Sequence, residues 1–171
     1  MKKSNFYLLY SGDKSLLSNE VNKLKKNLNI TSDSIYYDIE NVSDIIVEAS
    51  TIGMFDPYKF IVIDSDSYFL QKSEFDISLL EEYFNNYNTN SYLIFILNSD
   101  SVDSKKKLYK LINDNGTINK LSVTEEYLDT FVRNYIKDNG FTMSNMDIKF
   151  FLGRCNKDID NIKNELDKLM L

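Results

Sequence analysis

Two stretches, Phe60-Ile61-Val62-Ile63 and Tyr92-Leu93-Ile94-Phe95-Ile96-Leu97, are apolar at every position. A strand with one face in water alternates polar and apolar residues. An unbroken apolar run must be covered on both faces, as central strands of a parallel sheet are. Parallel strands need crossovers, and helical patterns stand where crossovers are required. Leu17, Val21, Leu24 and Leu28 form one apolar stripe. Ile45, Ala49 and Ile52 share a face of a helix starting near Ser43, Leu79, Leu80 and Tyr83 imply another, and Lys106 to Ile112 a fourth. Further strands are expected at Phe6 to Tyr10, Ser34 to Tyr37 and, more weakly, Thr117 to Leu121. The fold class is therefore α/β, a doubly wound sheet of five strands.

After Ser122 the pattern is helical only. Thr124, Ser144 and Asp158 are N-cap residues ahead of three apolar stripes, and Asn139-Gly140 stops the first of them. Phe131, Tyr135 and Leu169 are expected on inward faces. Two domains follow, an α/β domain over 1–122 and a small all-α domain over 123–171. The last helical pattern reaches Leu171 without a stop signal, so the second domain is expected to be incomplete.

The first strand runs into Ser11-Gly12-Asp13-Lys14-Ser15, where a nucleotide-binding α/β protein would carry Gly-x-x-x-x-Gly-Lys-Ser/Thr. With Gly12 as the second glycine, Tyr7 takes the place of the first and Asp13 that of the lysine. A carboxylate repels phosphate but suits a helix N-terminus, so Asp13 is expected to cap the N–H of Ser15 or Leu16. The strand-turn-helix keeps the architecture of a phosphate loop without its chemistry.

Composition removes other classes. With 171 residues, 43% of them hydrophobic, the chain can bury a sizeable core. No stretch reaches the roughly 18 to 20 apolar residues of a membrane span, and a cytoplasmic location is expected. The single Cys155 and the absence of histidine exclude an internal disulfide, disfavour a zinc site and remove histidine as a general base. A net charge of −6 disfavours free-standing nucleic-acid binding, and the clusters Lys2, Lys3, Lys14, Lys23, Lys25, Lys26 and Lys105, Lys106, Lys107, Lys110 read as solvated helix faces.

Asp64 and Asp66 follow the third strand, where a magnesium carboxylate would stand. Without a phosphate-holding lysine they read as a solvated strand end. A second use of Asp64, as phosphoacceptor of a response-regulator receiver with Asn98 or Ser99 and Lys120, lacks the acids after the first strand, where Tyr10 and Ser11 stand. The segment Ser50-Thr51-Ile52-Gly53-Met54-Phe55-Asp56-Pro57 breaks its helix at Gly53 and Pro57, which puts Met54 and Phe55 on a turn at the sheet's rim. The pair fits two readings: tucked into its own core, or an anchor for an apolar pocket on a partner.

In register over almost the whole chain, Phe6 to Leu17 with Glu20-Val21, Ala49 to Asp56 with Phe60 to Ile63, Leu93 to Ile96 with Asn98-Ser99, and Asp158 to Leu169 resemble the delta subunit of bacterial DNA polymerase III, the clamp-opening subunit of the clamp loader. The resemblance implies an AAA+-type (RecA-like) five-stranded parallel domain without a functional P-loop, then a truncated helical lid, with the family's collar absent. It implies a non-catalytic subunit without cofactor or metal. Its partners would be the sliding clamp (beta subunit), the other loader subunits (delta prime, gamma/tau) and, only within the assembly, primer-template DNA, with no membrane. The family's apolar rim pair falls on Met54 and Phe55, flanked by Ile52 and Gly53, while Gly12, Asp13, Lys14 and Ser15 mark the degenerate P-loop position. Two departures are Met54 in place of leucine, a volume-conserving swap, and Asn156 in place of a lid glycine, where asparagine is expected to tolerate left-handed backbone.

Overall fold

The two all-apolar runs become adjacent parallel strands, β3 (Lys59–Asp64) and β4 (Ser91–Leu97), and their side chains divide between two cores. The computed structural model describes residues 5–52, 57–70 and 76–171. These belong to two units, Met1–Leu121 and Ser122–Leu171. In the first, β1 (Phe6–Tyr10) lies between β4 and β5 (Thr117–Lys120), and β2 (Ser34–Asp38) lies beyond β3. The order is β2-β3-β4-β1-β5, with every neighbouring pair parallel.

Period-two alternation sorts the strands. Phe6, Leu8, Ile61, Ile63, Leu93, Phe95 and Leu97 point to one face. There they meet α2 (Val42–Ser50), α3 (Asp66–Leu70), α4 (Ser78–Asn85) and α5 (Lys107–Asn115). Leu9, Phe60, Val62 and Ile94 point to the other face, against Leu17 and Val21 of α1 (Lys14–Asn27). Phe6 anchors the larger core, stacked on Phe84 at 3.8 Å and edge-on to Tyr83 at 6.4 Å.

Some inward residues differ from the sequence pattern. Leu79 is exposed, and α4 buries Leu80, Tyr83 and Phe84 instead. The short α3 and a 3-10 turn over Ile39–Asn41 carry no clear periodicity. Ile52 does not continue the face of Ile45 and Ala49, because α2 stops at Ser50 and Thr51 leaves it extended at ψ 151°. Ile52 is consequently 79% exposed.

The second unit holds three helices among its described residues, α6 (Glu125–Asp138), α7 (Asn145–Arg154) and α8 (Ile159–Leu169). Thr124, Ser144 and Asp158 cap them by accepting from the N–H groups of Tyr127, Asp147 and Asn161. Leu128, Val132, Ile136, Ile148, Ile159, Ile162 and Leu166 are buried. Phe131 and Tyr135 are only half-buried, in a ladder that begins at Tyr127, and Leu169 is exposed. Gly140 ends α6 at φ 81°. Asn156 does not take the left-handed backbone expected of it: among the described non-glycine residues only Asn29 does, at φ 55°.

Candidate functional site

The turn between β1 and α1 has the outline of a phosphate loop, but the chain occupies its own donors. Ser11 N–H donates to the Leu97 carbonyl at 3.1 Å, and Asp13 N–H to Ser11 Oγ at 3.1 Å. Leu16 N–H donates to the Asp13 carboxylate at 3.0 Å, the cap expected from sequence. Gly12 N–H donates to the Asp100 carboxylate at 3.0 Å. This second carboxylate comes from the loop after β4, and no local sequence signal marks it. A Cβ on Gly12 would stand 2.7 Å from Asp100 Oδ2, so the close approach of Asp100 explains the glycine. Two negative side chains thus accept the N–H groups that a phosphate would otherwise use. Lys14 is exposed and Ser15 half-buried at the start of α1.

Lys14, Tyr36, Asp64, Asp66 and Asn98 line a neighbouring cleft of about 170 Å³. Its two acids serve the backbone: Asp64 accepts from Asp66 N–H at 2.9 Å, and Asp66 from Asn98 N–H at 2.7 Å. Among the described residues, no group of three or more Cys, His, Asp or Glu is placed to hold a metal ion. The sheet order also corrects the receiver reading of Asp64. A receiver sheet runs 2-1-3-4-5, with the phosphoacceptor strand beside the first strand. Here β4 separates β3 from β1, and Lys120 lies on β5, beyond β1. The acidic pocket of a receiver cannot assemble on this order. Within the second lysine cluster, Lys106 sits 4.9 Å from the Tyr68 ring centroid and donates to the Tyr68 carbonyl, so this one lysine serves the fold.

At the opposite ends of the strands, the rim begins where α2 stops. Exposed Ile52 is the last described residue before Gly53, Met54 and Phe55, and those three lie outside the described residues. What is described is the base of the rim, and it is heavily hydrogen-bonded. The Ala49 carbonyl accepts from Ser91 Oγ at 2.7 Å, Tyr83 OH at 3.2 Å and Asn88 Nδ2 at 3.2 Å. The preceding carbonyl, of Glu48, accepts from Lys59 Nζ at 2.8 Å and Thr51 Oγ1 at 3.0 Å. These bonds satisfy carbonyls that a helix end leaves without intrahelical partners. The Tyr83 phenol is a protonated donor at neutral pH, as an ordinary tyrosine is, and burial pushes its pKa up further from 10.0.

A family model described as DNA polymerase III, delta subunit, matches residues 4–122. The chain belongs to this family. The DNA polymerase III delta family is thus assigned over a span that takes in the closed turn and the end of α2. Among solved structures, the DNA clamp loader delta protein of Bacillus subtilis superposes with a TM-score of 0.70 at 18% identity, covering 97% of this chain and 52% of that one. The chain therefore spans about half the length of that protein. AMPPCP-bound DnaA from Aquifex aeolicus superposes with a TM-score of 0.51 at 16% identity, over 98% of this chain and 55% of that one. Both likenesses concern the fold, and they agree with an AAA+-type parallel sheet for this delta-family chain. No curated protein sequence matches it.

Proposed function

We propose that this chain is the clamp-binding part of a clamp-loader delta subunit, acting in DNA replication as a non-catalytic component. The observation that carries the reading is the family assignment over residues 4–122. The clamp loader delta protein of Bacillus subtilis, with the same fold, agrees with it. In this reading Met54 and Phe55, with Ile52 and Gly53 beside them, enter an apolar pocket on the sliding clamp. Burying two such side chains contributes roughly 1.5 to 3 kcal/mol each. That energy biases the clamp interface toward opening if the open form is bound more tightly. The exposure of Ile52 supports an outward-facing rim.

ATP acts elsewhere in this scheme, in partner subunits of the loader such as delta prime and gamma/tau. The support is the pair of carboxylates, Asp13 and Asp100, on the N–H groups of the degenerate loop. Residues 1–122 form the clamp-binding domain and 123–171 a helical lid, and primer-template DNA is met only within the assembly. No described helix is long and apolar enough to cross a membrane, and the proposed place of work is the cytoplasm. The test is capture of the cognate sliding clamp by the purified chain. Met54→Ala combined with Phe55→Ala is expected to abolish capture while leaving the circular dichroism spectrum unchanged. Undiminished capture by the double variant would sink the reading.

A further inference from the structure

The end of α2 is held from β3 by one side chain. Lys59 is the first residue of β3, and its own N–H pairs with the Asn90 carbonyl at 2.9 Å. Its ammonium reaches back to the Glu48 carbonyl at 2.8 Å, the Glu48 carboxylate at 2.5 Å and Thr51 Oγ1 at 2.5 Å. The three donors of the ammonium are thus matched by three acceptors. The Lys59 side chain is only 11% exposed, and that of Glu48 29%. A lysine normally keeps its head in water, so this one gives up solvation and rotamer freedom to stand here. What it joins are the two ends of the short segment between Thr51 and itself. The far end is held separately, by Ser32 Oγ donating to the Tyr58 carbonyl at 2.9 Å. A helix that only had to stop could do so with glycine or asparagine and no buried charge. Here the stop is fixed from a neighbouring strand, and Ile52 leaves it at a defined place.

We propose that Lys59 is a positioning residue for the end of α2, setting where Ile52 leaves the helix and so setting the affinity for the sliding clamp. The inference rests on the clamp-binding reading for its second half only. Lys59→Met removes the charge and the donors but keeps the aliphatic stem. Lys59→Arg keeps charge and donors. Two measurements are made on the full chain: the Kd for the cognate sliding clamp by calorimetry, and amide hydrogen exchange of the free chain at Thr51, whose N–H donates to the Val47 and Glu48 carbonyls at 3.2 and 3.3 Å.

Lys59→Met is expected to weaken clamp binding by roughly tenfold, the equivalent of one charge-assisted hydrogen bond. It should also speed exchange at the Thr51 amide while leaving the amides of residues 60–63 at wild-type rates. Lys59→Arg should stay near wild type in both. Unchanged affinity and exchange in Lys59→Met overturns the proposal. So does faster exchange throughout β3 and β4, which would mark a general structural role. If the wild-type chain itself does not bind the clamp, the functional reading falls. The exchange at Thr51 then decides alone whether Lys59 positions the end of α2.

Discussion

Gly12 and Asp100 make one feature out of two distant residues. The glycine admits the carboxylate, and the carboxylate takes the glycine's N–H. Gly12→Ala must displace Asp100 and is expected to cost about 1 kcal/mol, the price of an unmade hydrogen bond. Asp100→Ala should cost a similar amount, and the double variant less than the sum, since both changes break one contact. Urea unfolding of the four proteins measures this, and strict additivity would count against the contact. Asp100 also bears on nucleotides. Millimolar magnesium-ATP, which at a concentration equal to its Kd would stabilise by about 0.4 kcal/mol, is expected to leave the melting temperature of the wild type in place. Asp13 was legible in the sequence because a cap acts on the N–H three residues ahead. Asp100 was not, because its partner lies in a different strand-end loop, and only the sheet brings β1 and β4 together.

At the scale of elements, patterning was read well where burial is two-sided or where a cap starts a helix. The β3 and β4 runs, and the caps of α1, α6, α7 and α8, all follow from local chemistry. Legibility failed where an element ends for tertiary reasons. The helical spacing of Ile45, Ala49 and Ile52 carried the apolar face past Ser50, whereas donors from Tyr83, Asn88, Ser91 and Lys59 fix the end of α2 before Ile52. The helical unit carries a pH-dependent tie of its own. Tyr135 of α6 donates to Asp167 of α8 at 2.6 Å. That hydrogen bond, reinforced by burial, pushes the phenol up from 10.0 to about 12. The folded protein therefore keeps a proton that the unfolded chain releases. The stabilisation is whole below about pH 10 and is lost as the pH rises through about 12. Thermal melts of wild type and Tyr135→Phe should converge across that window. A constant difference from pH 8 to 12 would show that the bond carries no linked proton.

For the whole molecule, the two cores of the sheet unit draw all their residues from Phe6 to Leu121. A chain cut back to residues 1–121 is accordingly expected to unfold in one cooperative transition, with the near-ultraviolet signal of its packed tyrosines intact. A gradual, non-cooperative melt would mean that the division at Leu121 does not mark an independent folding unit. The class of the sheet was legible because continuous apolar runs allow few alternatives. The position of β1 between β4 and β5 was not, because strand order is set by crossovers and leaves no mark in the composition of any one strand. That position also imposes a schedule on the ribosome. β1 emerges first, yet its partners are residues 93–97 on one side and 117–120 on the other. β2 and β3, which pair with each other, can meet as soon as Asp64 has cleared the exit tunnel. β1, a strand covered on both faces in the finished sheet, must therefore travel uncovered through most of the synthesis of its unit. During that time Phe6, Leu8 and Leu9 are the residues most in need of a chaperone.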